Sequence, residues 1–211
     1  MGGKPLIWES IEHALTVNRI ERVIVSTDSE EISAVARNYG AEVPFIRPAE
    51  LALDDSPEWL AWRHALNYLR ETMGVLPEVM VSVPATAPLR LAIDIENCLY
   101  EYEKGDADMV ITVTDAHRSP YFNMVKANAD GTVGLVNPPQ SIIARRQDAP
   151  VVYDMATVCY VVNSEFVLTH NATFEGRVKA VHVPPRRAID IDTLLDFQLA
   201  ESLLNIREHN L

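Results

Sequence analysis

Cysteine is scarce in this 211-residue chain, and the two that occur stand apart. Cys98 and Cys159 each fall among apolar neighbours, with no Cys-x-x-Cys and no Cys/His cluster. That pattern argues against a zinc site and reads as two reduced core thiols in a cytoplasmic protein. Long apolar runs are missing as well, so no segment reads as a membrane span. Lys4-Pro5-Leu6-Ile7 leads straight into an amphipathic pattern, with no signal-peptide signature. Positive charge is short: 18 Lys and Arg stand against 30 Asp and Glu, a formal net charge of −12. Such a balance disfavours non-specific nucleic-acid binding, and an anionic ligand would need locally placed arginines and a metal. Internal repeats and low-complexity linkers are absent too. What is present, 48% hydrophobic and 23% charged residues, fits one sizeable domain over 1–211.

Strand and helix signals alternate along the chain. Ile7, Ile11, Ala14 and Leu15 form a helical stripe. Segment 22–26 reads as a short buried strand closed by Thr27-Asp28, 29–39 as a helix stopped by Gly40, and 43–46 as a short strand. Ser56-Pro57-Glu58 reads as a capped helix start, with Ser56 as the cap and the helix running to about 71. A strand over 79–83, a loop over 84–90, a helix over 92–104 and a strand over 109–114 follow. The pattern then changes. Segments 122–126 and 133–136 flank Asn128-Ala129-Asp130-Gly131, a hairpin signature. Strands over 158–162 and 178–183 and a helix over 193–207 complete the chain. The alternation predicts an α/β fold with a mostly parallel sheet flanked by helices. Ligands of such sheets bind at the carboxyl ends of the strands, where Asp28, Thr86, Arg90 and Asp190 fall. The hairpin region, about 117–157, reads as an insertion suited to a dimer interface or a lid.

The sharpest chemical signal is Arg187-Ala188-Ile189-Asp190-Ile191-Asp192-Thr193. On extended backbone, residues i and i+2 share a face. Asp190 and Asp192 can therefore address one hard cation, as Mg²⁺ sites require, and that suggests phosphate chemistry. A solvated acidic loop beside a helix start accounts for the spacing equally well.

Six motifs occur in register over essentially the whole chain. They are Gly3-Lys4-Pro5-Leu6-Ile7, Val25-Ser26-Thr27-Asp28-Ser29-Glu30-Glu31-Ile32, Arg47-Pro48-Ala49-Glu50-Leu51, Thr86-Ala87-Pro88-Leu89-Arg90, Arg146-Gln147-Asp148 and Asp190-Ile191-Asp192-Thr193. In this the chain resembles the acylneuraminate cytidylyltransferases, or CMP-sialic acid synthetases. The resemblance implies a Rossmann-like nucleotidyltransferase domain and a homodimer. It implies a Mg²⁺-dependent reaction of CTP with an acidic 3-deoxy-2-ulosonic sugar, sialic-acid-like or Kdo-like, giving a CMP-sugar and pyrophosphate. By resemblance, Asp190 and Asp192 are the metal-binding pair. Arg47 matches the position at the cytosine end of the nucleotide, with Ser56 in the segment beside it and Asp28 near the nucleotide. Thr86 faces the sugar. Arg146 matches an arginine of the sugar site, where a guanidinium fork suits a carboxylate. Arg90 is expected to order its loop rather than touch substrate.

The chain departs from the family pattern in two places. Members of the family carry a strand and an Arg-x-x-Ser-Lys-x-x-x-x-Lys-Asn loop ahead of the Gly-Lys-Pro-Leu segment; here Met1-Gly2-Gly3 stands there. That loop holds CTP phosphates with backbone amides and cations. A truncated or misassigned start is one expectation, a different segment filling the gap another. Without a substitute, two strand edges and a core face should lie open, and CTP should bind poorly. The second departure concerns the sugar. Pro84 replaces a sugar-facing amide, and Asp154 replaces an arginine, reversing the local charge. N-acetylneuraminate itself is therefore not the expected sugar. Transfer to a different base or sugar, and a non-catalytic dimer-forming remnant, are the competing readings.

Overall fold

The computed structural model describes residues 1–139, 141 and 143–208. Helices α1 (Leu6–Thr16), α2 (Glu30–Asn38) and α3 (Glu58–Thr72) precede strand β1 (Val79–Ser82). Then come α4 (Ala92–Tyr102), β2 (Met109–Asp115), a hairpin of β3 (Val125–Ala127) and β4 (Val133–Leu135), β5 (Tyr153–Asn163), α5 (Ser164–Thr169), β6 (Val178–His182) and α6 (Leu194–Glu208). Among the described residues no helix is long and apolar enough to cross a membrane.

The main sheet runs β1-β5-β2-β6. β2 and β6 are parallel, whereas β5 is antiparallel to both β1 and β2. The α/β expectation holds, and the sheet is mixed. The chain leaves β2, makes the β3–β4 hairpin and returns as β5 without a crossover helix, so β5 must run backwards. Alternation along these strands sorts the core into two faces. Val110, Cys159 and Val161 pack with Ile95, Cys98 and Leu99 of α4. Met109, Ile111, Tyr160 and Val162 pack with Trp59 and Leu66 of α3 and with Phe166 and Val167 of α5. The result is a sheet between helical layers, with both thiols buried in the first face.

A bulge breaks the β2–β5 register between Ile111 and Thr112. Buried Thr112 bridges it, its Oγ1 donating to the Ala156 carbonyl at 2.6 Å and accepting from the Cys159 amide at 3.2 Å. Arg90, with no exposed surface, donates from Nε to the Val158 carbonyl at 2.8 Å, from Nη1 to Ser10 Oγ at 2.5 Å and from Nη2 to the Pro84 carbonyl. It orders the 84–90 loop, as expected.

Two expected strands are nearly absent. Segment 22–26 keeps a single parallel bridge, Ile24 with Glu42, and 43–46 just beyond it forms no ladder among the described residues. The physical reason lies next to them. Segment 22–26 and β1, which pairs with β5 alone, line one channel of about 640 Å³, and among the described residues no strand lies between them. Its walls are largely apolar, including Ile11, Val25, Leu66 and Val81. A strand edge and a core face are thus open, and 22–26 has no second partner to extend its ladder. Ile11, Ala36, Ala41 and Val43 make a separate small core beyond it.

The helix starts differ in one respect from expectation. Ser29 caps α2, accepting from the Ile32 amide at 3.2 Å. Ser56 does not cap α3: Pro57 occupies the N-cap, and Ser56 Oγ donates to the Glu50 carbonyl at 2.9 Å. Ser56 Oγ is thus spent on the preceding turn of 49–51.

Candidate active site

The Asp190 segment is held from three sides. Ile189 and Ile191 pack with Leu89, Ala200 and Leu204, so the alternating aspartates point away from that cluster. The Ile191 amide donates to the Thr86 carbonyl at 2.8 Å. Arg187 pairs at 2.9 Å with Asp94, a buried residue whose other oxygen accepts from the Leu91 amide at the start of α4. Thr86 thus reaches this segment through its backbone.

Asp190 carries a buried Oδ1 with no hydrogen-bond partner, whereas Asp192 is exposed. Asp190 also lines a second cavity of about 270 Å³ with Thr114, Asp115, His117, Asp154 and Asp196. Among the described residues no three His, Cys, Asp or Glu side chains gather as a metal nest. A divalent ion at Asp190 and Asp192 would therefore draw the rest of its oxygen shell from phosphate and water. That is how Mg²⁺ is ordinarily held, by one or two carboxylates. The unpartnered Oδ1 fits that role.

Ser26, Arg47, Glu58 and Ser82 are among the polar residues that line the channel. Ser26 Oγ and Arg47 Nε are buried without partners. Arg47 is oriented by an ion pair with Asp28 at 3.8 Å, and its amide donates to the Thr27 carbonyl at 2.9 Å. Asp28 and Arg47 therefore come together; Ser56 does not line the channel. Arg146 lines neither cavity and donates to the Ala116 carbonyl just past β2, while Arg145 is engaged with Asp148 at 2.9 Å. Of the two adjacent arginines, Arg146 is the one without a carboxylate partner among the described residues.

Glu58 escaped the sequence reading, which took it only as a helix-start acid. Its Oε1 accepts from Trp62 Nε1 at 3.2 Å and from Ser82 Oγ at 3.4 Å. Burial in the channel wall pushes its carboxyl above the usual range; the bonds from Trp62 and Ser82 and the charge of Arg47 oppose this, and Asp190 adds to it. Tyr160 is pushed up to about 12, chiefly by burial and then by the charges of Glu58 and Asp190. His64 is pushed down by burial and by Arg47. Glu58 thus feels the charges of both Arg47 and Asp190, although the three come from distant parts of the chain.

A family model described as Cytidylyltransferase matches residues 1–209. The chain belongs to the cytidylyltransferase family. This cytidylyltransferase is 33% identical over 206 residues to post-translational flagellin modification protein B of Campylobacter coli, a match covering 98% of the chain and 86% of the relative. It is 32% identical over 202 residues to CMP-N,N'-diacetyllegionaminic acid synthase of Campylobacter jejuni, covering 96% and 85%. Its fold matches a solved CMP:2-keto-3-deoxy-manno-octonic acid synthetase complexed with CTP, with a TM-score of 0.71 at 13% identity, over 97% of this chain and 89% of that one. The second carboxylate missed in the sequence, Asp94, had left a signal: Leu91-x-x-Asp94 is the spacing by which an acid reaches back to a helix's first amides. For Glu58 the local sequence held none, because its partners Ser82 and Arg47 are distant in the chain.

Proposed function

We propose that this cytidylyltransferase joins CTP to an acidic nonulosonic sugar of the legionaminic type, releasing pyrophosphate. The carrying observation is the set of buried polar atoms left without partners, Ser26 Oγ and Arg47 Nε at the channel and Asp190 Oδ1 beside it. Burying such atoms unpaired is costly, and a nucleotide laid along this wall would satisfy them. The relatives from Campylobacter support the sugar class.

In this reading Arg47, oriented by Asp28, binds the nucleotide, with Ser56 and Thr86 in supporting segments. Asp190 and Asp192 hold Mg²⁺, which when bound neutralises phosphate charge. Arg146 binds the sugar carboxylate through its fork. The anomeric oxygen of the sugar forms a bond to the α-phosphorus, the bond from that phosphorus to the β-phosphate oxygen breaks, and the hydroxyl proton is released. The second cavity, with Asp115 and Asp154 on its wall, takes the sugar's hydrogen-bond-donating substituents. The reaction belongs in the cytoplasm, where CTP is present and Cys98 and Cys159 stay reduced.

Arg47→Ala is expected to weaken CTP binding about tenfold or more, the scale of a charge-assisted hydrogen bond. Calorimetry with and without Mg²⁺ measures it. Pyrophosphate release should follow addition of legionaminic-type acids and not of neutral hexoses. No release with any nonulosonic acid, from a folded sample, would leave the remnant reading standing.

The same reading includes a homodimer. Tyr153 and Met155 of β5 and Leu194, Leu195 and Leu199 of α6 are exposed, Met155 at 54% and Leu195 at 72%. Met155 and Leu199 also border the second cavity, so this apolar face adjoins the sugar side. Met155→Asp is expected to convert a dimer to a monomer in analytical ultracentrifugation. A wild-type chain that sediments as a monomer would remove the dimer.

A further inference from the structure

We infer that Glu58 recognises the nucleoside end of the bound nucleotide, through hydrogen bonds that its carboxylate accepts. The inference rests on the nucleotide-binding reading above and adds a residue and an orientation to it.

The geometry is particular. Oε1 is held in place by Trp62 Nε1 and Ser82 Oγ, at 3.2 and 3.4 Å. Trp62 is one helical turn along α3, and Ser82 ends β1, so two different elements aim the carboxylate. Oε2 takes no hydrogen bond from any described residue, and Glu58 lines the channel together with Arg47, Ser26 and Ser82. A carboxylate oriented on one oxygen and open on the other is suited to accept from a ligand.

The chemistry of CTP decides which part of the ligand that is. A carboxylate offers acceptors only. The triphosphate also offers acceptors and carries negative charge, so it is repelled from Glu58. The donors of CTP are the ribose hydroxyls and the 4-amino group of cytosine, both on the nucleoside. Glu58 and Arg47 share the channel, whereas Asp154 and Asp115 line the second cavity. In this reading the nucleoside lies beside Glu58 and Arg47, with its phosphates directed away from the Glu58 carboxylate. A site that hydrogen-bonds a donor rejects analogues lacking it.

The test couples side chain to ligand group. CTP, 2′-deoxy-CTP, 3′-deoxy-CTP and UTP are titrated by calorimetry into the wild-type chain and into Glu58→Ala. The wild type is expected to prefer CTP about tenfold or more over at least one analogue. In Glu58→Ala that preference should collapse to within about twofold, through weaker CTP binding and not tighter analogue binding. Loss against a deoxy analogue assigns the ribose, and loss against UTP the amino group. Glu58→Gln keeps the shape and the bonds to Trp62 and Ser82. It is expected to fall between the two, and it carries the test alone should the alanine variant misfold. Preferences unchanged in a folded variant overturn the role of Glu58 while the nucleotide site stands. A wild-type chain that binds none of the four nucleotides overturns both.

Discussion

Replacing Asp190 by Asn is expected to lower kcat about 100-fold or more without unfolding the protein. The two halves of that expectation have different physical sources. Asn is nearly isosteric with Asp, and Oδ1 of Asp190 makes no hydrogen bond that the substitution would break. The segment is held by Ile189, Ile191 and the Ile191 amide bond to Thr86, none of which involves the Asp190 side chain. Stability should therefore change little. Removing the negative charge also relieves Glu58 of a like-charged neighbour. Catalysis should suffer because a neutral amide no longer balances a divalent cation among phosphates, and losses of this order accompany removal of one preorganised charge from a transition state. Asp192→Asn should cost less, since Asp192 is exposed and its charge is screened. The measurement is pyrophosphate release against Mg²⁺ concentration, with a thermal melt on the same sample. Activity within threefold of wild type at saturating Mg²⁺ would remove Asp190 from the reaction.

Arg90→Met is expected to destabilise the fold by about 3 kcal/mol, lowering Tm by about 10 °C in a chain of this size. Methionine fills most of the same space, so the loss comes from polar groups left behind. The Val158 and Pro84 carbonyls and Ser10 Oγ each lose a charge-assisted donor. Relief of the buried charge offsets part of this: burial brings the guanidinium down to about 10 even though Cys159, Asp94, Glu9 and Asp190 pull it up. The net remains unfavourable because the β5 bulge needs a donor for Val158, and no other described side chain supplies one. Urea denaturation of both chains measures the difference; a change below about 1 kcal/mol would mean that water replaces the guanidinium freely.

Much of the architecture was legible in the sequence. Each apolar run that became a strand of the main sheet, around 79–83, 109–114, 158–162 and 178–183, was visible because strands packed on both faces read as continuous apolar segments. The helix over 92–104, stopped by Gly105, and the one stopped by Gly40 were likewise local facts. What escaped was non-local. The reversed direction of β5 depends on how the chain returns from its hairpin, and α5 is too short to show a period. Segments 22–26 and 43–46 have strand composition, yet a strand needs a partner edge, and sequence composition does not say whether one is present. Asp190 could be singled out as a candidate because its spacing with Asp192 is local. Glu58 was missed because its meaning comes from Ser82, Trp62 and Arg47 meeting it in space.

The open channel divides the molecule mechanically. On one side, α1, α2 and the 22–26 segment form a small lobe around the core of Ile11, Ala36, Ala41 and Val43. On the other stands the sheet with its own two cores. The two sides are joined where Val17 and Ile20, just past α1, pack with the α4 side of the sheet, where Ser10 of α1 meets Pro84 and Arg90, and where Phe45 packs on His64 and Tyr68. Arg47 rides close to the small lobe and Asp190 on the large one. If CTP lies as proposed, the gap between the two sides sets the span from nucleoside to phosphate, and a ligand reaching across it would act as a clamp, trading its own binding energy for stiffness across the channel.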